Sequence, residues 1–223
     1  MVCNLKNIEK KFLNKMLIIH HRINNIKDLE SSDSSDGAEI DVRYHCNDLI
    51  LHHDPYEHHN SQPTLLESFL KAWKLDGPLI LNIKSEGIED SCIYLMEKYK
   101  ISNWFFLDIS MPFFIKYSFL SASNSLNSFK PQNLAVRYSD YEPIEYAMSF
   151  KKSVEWVWVD TFKNFPLTRE AYQDLKYSGF KICLVSPELH GHPPDYISEI
   201  RSIINDHNMT IDAVCTKFPK AWS

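Results

Sequence analysis

The stretch Gly37-Ala38-Glu39-Ile40-Asp41-Val42 is a strand-like, mostly apolar run that carries two acids at alternate positions. Successive side chains of a β-strand point to opposite faces, so both carboxylates are expected on one face and the isoleucine on the other. Two similar runs end in histidines, Leu17-Ile18-Ile19-His20-His21 and Leu49-Ile50-Leu51-His52-His53. Strands are therefore predicted to bring acids and histidines to the same part of the fold.

Strand-like and helix-like segments alternate along the chain. The predicted strands are 16–21, 38–44, 78–84, 104–109, 134–138, 156–161, 181–186 and 211–216. Helical patterns lie between them at 64–73, 88–99, 112–120, 143–150, 168–177 and 194–208. Eight apolar strands, each buried on both faces, are typical of a closed parallel barrel. An open doubly wound sheet is the alternative, but the chain has only five glycines and no glycine-rich phosphate loop after its first strand.

We therefore predict an α/β fold, a single compact (β/α)8 TIM barrel that forms one domain over residues 1–223. A polar stretch at 28–36, which contains Ser31-Ser32-Asp33-Ser34-Ser35, stands where the first barrel helix should be. The first βα unit is accordingly expected to be irregular. Insertions must be few, because such barrels need about 200 residues or more.

Composition predicts a globular protein with no global attraction to nucleic acid or to an anionic membrane, since 44% of residues are hydrophobic, 24% are charged and the net charge is -5. Residues 1–15 lack the apolar core of a secretion signal, and no apolar run reaches the roughly 20 residues of a membrane helix. The five cysteines form no Cys-x-x-Cys pair, so reduced thiols and a cytoplasmic location are expected. The sequence leaves the oligomeric state open.

In such a barrel, reactive side chains lie at the carboxyl ends of the strands. His21 and His53 are candidates for acid and base catalysis, because one imidazole can accept a proton from an attacking hydroxyl while the other protonates the leaving oxygen. Glu39 and Asp41 are candidate ligands of Mg²⁺ or Ca²⁺, since oxygen-only ligation suits hard cations better than zinc.

The motifs His21-Arg22, Glu39-x-Asp41 and His53-Asp54, in that order, resemble those of the glycerophosphodiester phosphodiesterase family and its phospholipase relatives. The usual family pattern runs His-Arg-Gly, Glu-x-Asp and His-Asp, and the match covers the first third of the chain. Leu79-Ile80-Leu81-Asn82-Ile83-Lys84 is similar to the family's third-strand segment, and 211–219 is similar to its last strand.

Three residues depart from the family pattern. Ile23 replaces the glycine after His-Arg, Asn82 stands where the family usually has a metal-binding acid, and Lys217 stands where it often has an aspartate. We therefore interpret the chain as a divergent relative.

The resemblance implies a metal-dependent phosphodiesterase that cleaves a small glycerophosphodiester or a related lipid-headgroup or glycan phosphodiester, through a cyclic phosphate. His21 and His53 would be catalytic, and Glu39, Asp41 and Asn82 would hold Mg²⁺ or Ca²⁺. Lys84 corresponds to a family lysine, whereas the other candidate substrate-binding residues follow from their positions at strand ends. The full substrate-binding set is Arg22, Lys84, Arg137, Glu188 and Lys217.

Other interpretations stay open at this point. The acids of the second strand could simply pair with Lys84 or Arg22, and Lys217 could pair with Glu188 or Asp160. A barrel that binds a phosphate or a sugar without hydrolysing it is favoured by Asn82 and Lys217. An unrelated sugar-phosphate isomerase or aldolase would instead use Lys84 or Lys217 as a Schiff base.

Overall fold

The computed structural model describes residues 16–57, 62–123 and 129–223. Residues 1–15, where no secretion signal is expected, lie outside the described residues. So do His58 and His59, which the sequence favours as solvated loop histidines over metal ligands because no third ligand has a suitable spacing. In the described ranges, no helix has the length and apolar character needed to span a bilayer. The four cysteines in these ranges are free, and three of them are buried.

In the described part of the chain, ten strands form one mixed sheet. They are β1 (Leu17–His20), β2 (Gly37–His45), β3 (Asp48–Leu51), β4 (Thr64–Leu65), β5 (Leu79–Ile83), β6 (Trp104–Leu107), β7 (Ala135–Tyr138), β8 (Trp156–Val159), β9 (Lys181–Val185) and β10 (Ala213–Thr216). The eight predicted strands pair in parallel in the order β6-β5-β2-β1-β10-β9-β8-β7. Strands β3 and β4 extend β2 as an antiparallel hairpin, which the sequence analysis did not separate from the loop after β2.

The two ends of this parallel series meet only at a seam between β6 and β7. One isolated parallel bridge joins Phe106 to Leu134, in place of a continuous ladder. The Asn133 side-chain amide donates a hydrogen bond to the Trp104 carbonyl of β6 at 2.9 Å. Asp108, which follows β6, has a left-handed backbone conformation with φ 59°. The eight predicted strands and their parallel pairing are confirmed, whereas a closed ring of hydrogen-bonded strands is not.

Eight helices follow the strands within the described ranges. They are α1 (Ile26–Glu30), α2 (Leu66–Ala72), α3 (Glu89–Lys98), α4 (Met111–Ser123), α5 (Ile144–Ser149), α6 (Arg169–Tyr177), α7 (Tyr196–Asp206) and α8 (Pro219–Trp222). The first is only five residues long, as expected from the polar stretch at 28–36. The Asn25 side chain caps it by accepting from the Asp28 N–H.

Side-chain alternation divides the core into two layers. One layer packs between the sheet and the helices and includes Ile40. The other covers the opposite face of the parallel strands, where Phe105 stacks on Trp156 with 5.0 Å between ring centroids. Strand β2 adds no apolar side chain to this second layer, because its positions there are taken by Glu39 and Asp41. Burying two acids is unfavourable unless they are paired, so this placement indicates a functional site.

Candidate active site

The turn after β1 brings a backbone donor to the first acid. Arg22 is left-handed with φ 56°, an uncommon conformation for a residue with a Cβ, and its N–H donates to Glu39 Oε2 at 2.8 Å. Ile23 has no positive φ, and its N–H donates to the Glu39 carbonyl at 2.8 Å. The residue that replaces the expected glycine is therefore compatible with the backbone here.

Glu39 is a buried acid with its partners in place. Its side chain is 1% exposed, and Oε1 accepts from Asn82 Nδ2 at 2.9 Å. Burial and the neighbouring Asp41 carboxylate raise the pKa of Glu39 from 4.5 to about 7. Near neutral pH this group is thus poised between its acid form and its carboxylate form.

Asp41, 0% exposed, is held by a residue that the sequence analysis missed. Asn24 Nδ2 donates to Asp41 Oδ2 and the Asp41 N–H donates to Asn24 Oδ1, both at 2.8 Å. The cations Lys84 and Arg22 lie farther away, with Lys84 Nζ 3.7 Å from Oδ1 and Arg22 Nε 3.9 Å from Oδ2. The only sequence signal for Asn24 is its place in the loop at the carboxyl end of β1.

Two buried oxygens in this group accept no hydrogen bond. Asp41 and Asn82 are aligned in register on β2 and β5, and Asp41 Oδ1 and Asn82 Oδ1 both lack a hydrogen-bond partner. Unsatisfied buried acceptors are costly unless a ligand completes them. In the described part of the chain, no three His, Cys, Asp or Glu side chains form a metal-binding group, since the third position is an amide. One free carboxylate oxygen and one free amide oxygen, beside a second carboxylate, nevertheless fit a hard divalent cation.

His21 lies beside the acids, with Nε2 3.9 Å from Glu39 Oε2 and a buried Nδ1 that has no hydrogen-bond partner. Burial lowers the pKa of His21 to about 3, helped by the nearby charges of Arg22 and Lys217. The imidazole is therefore neutral near pH 7. The adjacent His20 instead binds Asp36 at 2.8 Å.

His53 follows the β2–β3 hairpin and is fixed from three directions. Its Nδ1 lies 2.8 Å from Asp54 Oδ1, and Arg22 Nη2 lies 2.5 Å from its Nε2. Arg43, a second residue that the sequence analysis missed, donates to the His53 carbonyl through Nη2 at 2.7 Å. If Arg22 donates to Nε2, then the proton is on Nδ1 and points at Asp54.

A chain of ion pairs runs from the acids to the opposite side of the strand ends. Lys84 Nζ lies 3.4 Å from Asp108 Oδ2, and Asp108 Oδ1 accepts from Arg137 Nε at 2.8 Å. Arg137 Nη1 also pairs with Asp160, which binds His190 Nε2 at 2.7 Å. Arg137 is thus paired with acids on both sides, and it joins the loop after β6 to β7 across the seam.

Glu188 and Lys217 lie together after β9 and β10. Glu188 Oε1 accepts from the Thr216 hydroxyl at 2.7 Å and from the Lys217 N–H at 3.0 Å, and Oε2 accepts from Ser186. Among the described residues, no acid pairs with the Lys217 ammonium, so the alternative in which Lys217 pairs with Glu188 or Asp160 is limited to a backbone hydrogen bond to Glu188. The Lys217 charge lies close enough to His21 to lower the pKa of that imidazole.

The structure therefore gathers most of the predicted residues at the carboxyl ends of β1, β2, β5 and β10. His21, Arg22, Glu39, Asp41, Asn82 and Lys84 lie close together, with His53 and Lys217 beside them. Arg137 is linked to this group only through Asp108, and Glu188 through the backbone of Lys217.

No family model and no curated protein matches the sequence. A glycerophosphoryl diester phosphodiesterase from Parabacteroides distasonis superposes with a TM-score of 0.65 and 14% identity, covering 94% of this chain and 85% of that one. A glycerophosphodiester phosphodiesterase from Agrobacterium tumefaciens superposes with a TM-score of 0.60 and 11% identity, covering 93% of this chain and 98% of that one. A candidate glycerophosphodiester phosphodiesterase from Galdieria sulphuraria superposes with a TM-score of 0.64 and 14% identity, covering 93% of this chain and 96% of that one.

At these identities the likeness concerns the fold, and it extends over nearly the whole chain. The family resemblance first seen in three short motifs is thus matched by the path of the backbone. This chain has the fold of the glycerophosphodiester phosphodiesterases.

Proposed function

We propose that this protein is a metal-dependent phosphodiesterase with a (β/α)8 barrel fold, acting on a glycerophosphodiester or a related small phosphodiester. The observation that carries the proposal is the pair of unsatisfied oxygens, Asp41 Oδ1 and Asn82 Oδ1, set between two histidines and three cations. A divalent cation would satisfy these oxygens, and a phosphodiester anion would meet the cations. The fold shared with phosphodiesterases supports the same activity.

The metal would be Mg²⁺ or Ca²⁺, held by Glu39, Asp41 and Asn82. When bound, it would neutralise charge on the phosphoryl oxygens. Arg22, Lys84 and Lys217 would attract the phosphodiester, because all three are close enough to act on His21 electrostatically. Asn24 would keep Asp41 Oδ2 occupied and so leave Oδ1 for the cation.

The two histidines would move the protons. One would accept the proton of an attacking hydroxyl, and the other would protonate the leaving oxygen. If the attacking hydroxyl belongs to the substrate, the product of this step is a cyclic phosphate. Burial is the largest cause of the low His21 pKa, so this imidazole is neutral near pH 7 and suits the role of proton acceptor, which leaves the donor role to His53.

Turnover with and without metal tests the proposal. We expect release of glycerol phosphate from glycerophosphodiesters in Mg²⁺ or Ca²⁺, and loss of that activity in excess chelator with recovery on adding metal back. Full activity in chelator would remove the metal from the proposal. Borohydride trapping of a substrate adduct would instead identify a Schiff-base enzyme.

A barrel that binds phosphate without hydrolysis is the second candidate. Lys84 Nζ, 3.7 Å from Asp41 Oδ1, lies where it could partly replace the charge of a metal, and Asn82 offers no third carboxylate. This candidate predicts that inorganic phosphate binds equally well in chelator and that no phosphodiester is cleaved.

The raised pKa of Glu39 predicts a pH-dependent affinity for the metal. Its protonated form is favoured in the fold up to about pH 7, so cation binding below that pH must displace a proton. We expect Mg²⁺ or Ca²⁺ affinity to fall by about tenfold per pH unit below this value and to level off above it. Calorimetric titrations near pH 6 and pH 8 would measure this change.

Two variants make that titration specific. Glu39→Gln should weaken binding and abolish the pH dependence, since the titrating group is gone. Glu86→Gln removes an exposed acid from the loop after β5 and should leave both unchanged. Equal affinities at the two pH values in the unmodified protein would place the cation away from Glu39.

A further inference from the structure

A cleft of about 280 Å³ opens at the seam between β6 and β7. Its polar lining consists of Asp108, Arg137, Glu142 and Tyr146, and its apolar lining includes Ile109 and Phe114. We propose that this seam cleft is a subsite for the leaving group of the substrate and takes an uncharged, sugar-sized group with several hydroxyls. The assignment as a leaving-group subsite rests on the proposed phosphodiesterase function.

Position connects the seam cleft to the candidate active site. Asp108 lines the cleft through the loop after β6, and its Oδ2 lies 3.4 Å from Lys84 Nζ. The same Lys84 ammonium lies 3.7 Å from Asp41 Oδ1. One lysine side chain thus spans from the cleft to the acids, so a group esterified to a phosphate held by Lys84 can reach the cleft.

The charges of the lining favour a neutral polar ligand. Asp108 and Glu142 would repel an anionic group, while Arg137 and the Lys84 ammonium beside Asp108 oppose a cationic one such as a quaternary ammonium. A hydroxyl both donates and accepts, so it can use the carboxylates and the guanidinium in the same site. The lining therefore fits a polyol better than a charged headgroup.

One hydroxyl of the lining supports this interpretation. Among the described residues, the Tyr146 hydroxyl donates only to the Met111 sulfur, at 3.7 Å, and a thioether is a weak acceptor. A ligand hydroxyl would give Tyr146 a stronger partner.

Size sets the remaining limit. At roughly 30 Å³ per water, the cleft has the volume of about nine waters, which suits one monosaccharide or cyclic polyol. The apolar side chains of Ile109 and Phe114 can contact the carbon face of such a ring.

Saturation-transfer NMR with free myo-inositol and glucose tests the cleft without requiring turnover. We expect transfer to at least one of them in the unmodified protein and its loss in Ile109→Trp, which fills the cleft from a partly buried position. Ile115→Trp makes the same change on α4 outside the lining and should retain the transfer. No transfer in the unmodified protein, or equal transfer in Ile109→Trp, would overturn the proposal.

Kinetics provide a second arm that separates the subsite from the function. If glycerophosphoinositol is cleaved, then Ile109→Trp should raise its KM by about tenfold or more with kcat little changed. An unchanged KM would contradict the subsite. Polyol binding that depends on Ile109, in a protein that cleaves no phosphodiester, would leave the cleft as a polyol site and refute the proposed function alone.

Discussion

Changing His21 to alanine is expected to lower kcat for a glycerophosphodiester by about 10²–10⁴-fold, because the reaction loses one of its two proton carriers. The His21 ring lies 3.9 Å from Glu39 Oε2, and its buried Nδ1 makes no hydrogen bond that the fold would lose. Stability should therefore change little. Steady-state kinetics with a thermal melt of the same sample would measure both effects.

The neighbouring histidine provides a matched comparison. His20 directs its ring to Asp36 rather than to the acids, so His20→Ala should keep near-normal turnover even if it costs some stability. His53→Ala should resemble His21→Ala in activity, since its ring is held between Asp54 and Arg22. If His21→Ala and His20→Ala lost activity to the same extent, the loss would reflect a general disturbance of β1 and not proton transfer.

The sequence predicted which of the candidate residues lie together, because strand geometry is local. Alternation in β2 determines that Glu39 and Asp41 share a face, whatever the rest of the chain does. The carboxyl ends of parallel strands lie on one side of a sheet, so recognising eight apolar runs was enough to bring His21, Asn82 and Lys217 to the same end.

The missed features depend on contacts between residues far apart in sequence. Asn24 acquires its role only because the loop after β1 lies against Asp41, and nothing in the local sequence marks it. The open seam likewise depends on Asn133, whose side-chain amide donates to a β6 carbonyl that could otherwise accept a hydrogen bond from a neighbouring strand. Local propensity carries no information about such competition.

Arg137 shows the limit of predicting a role from position. Its place at a strand end predicted substrate binding, and the structure places its guanidinium between Asp108 and Asp160. A role in substrate binding stays a prediction. The ion pairs suggest a structural role as well, since they cross the seam where a single backbone bridge joins β6 to β7.

Arg137→Gln is accordingly expected to lower the free energy of unfolding by about 2–3 kcal/mol, less than the roughly 3–5 kcal/mol of a fully buried ion pair, because the Arg137 side chain is 27% exposed. Asp160 is 1% exposed and, among the described residues, would keep the His190 imidazole as its side-chain partner, while Asp108 would keep Lys84. Denaturant unfolding measures the loss, and Arg169→Gln, on the exposed start of α6, should change stability by less than about 0.5 kcal/mol. A similarly small change in Arg137→Gln would mean that the ion pairs do not hold the seam together, and would favour the role in substrate binding.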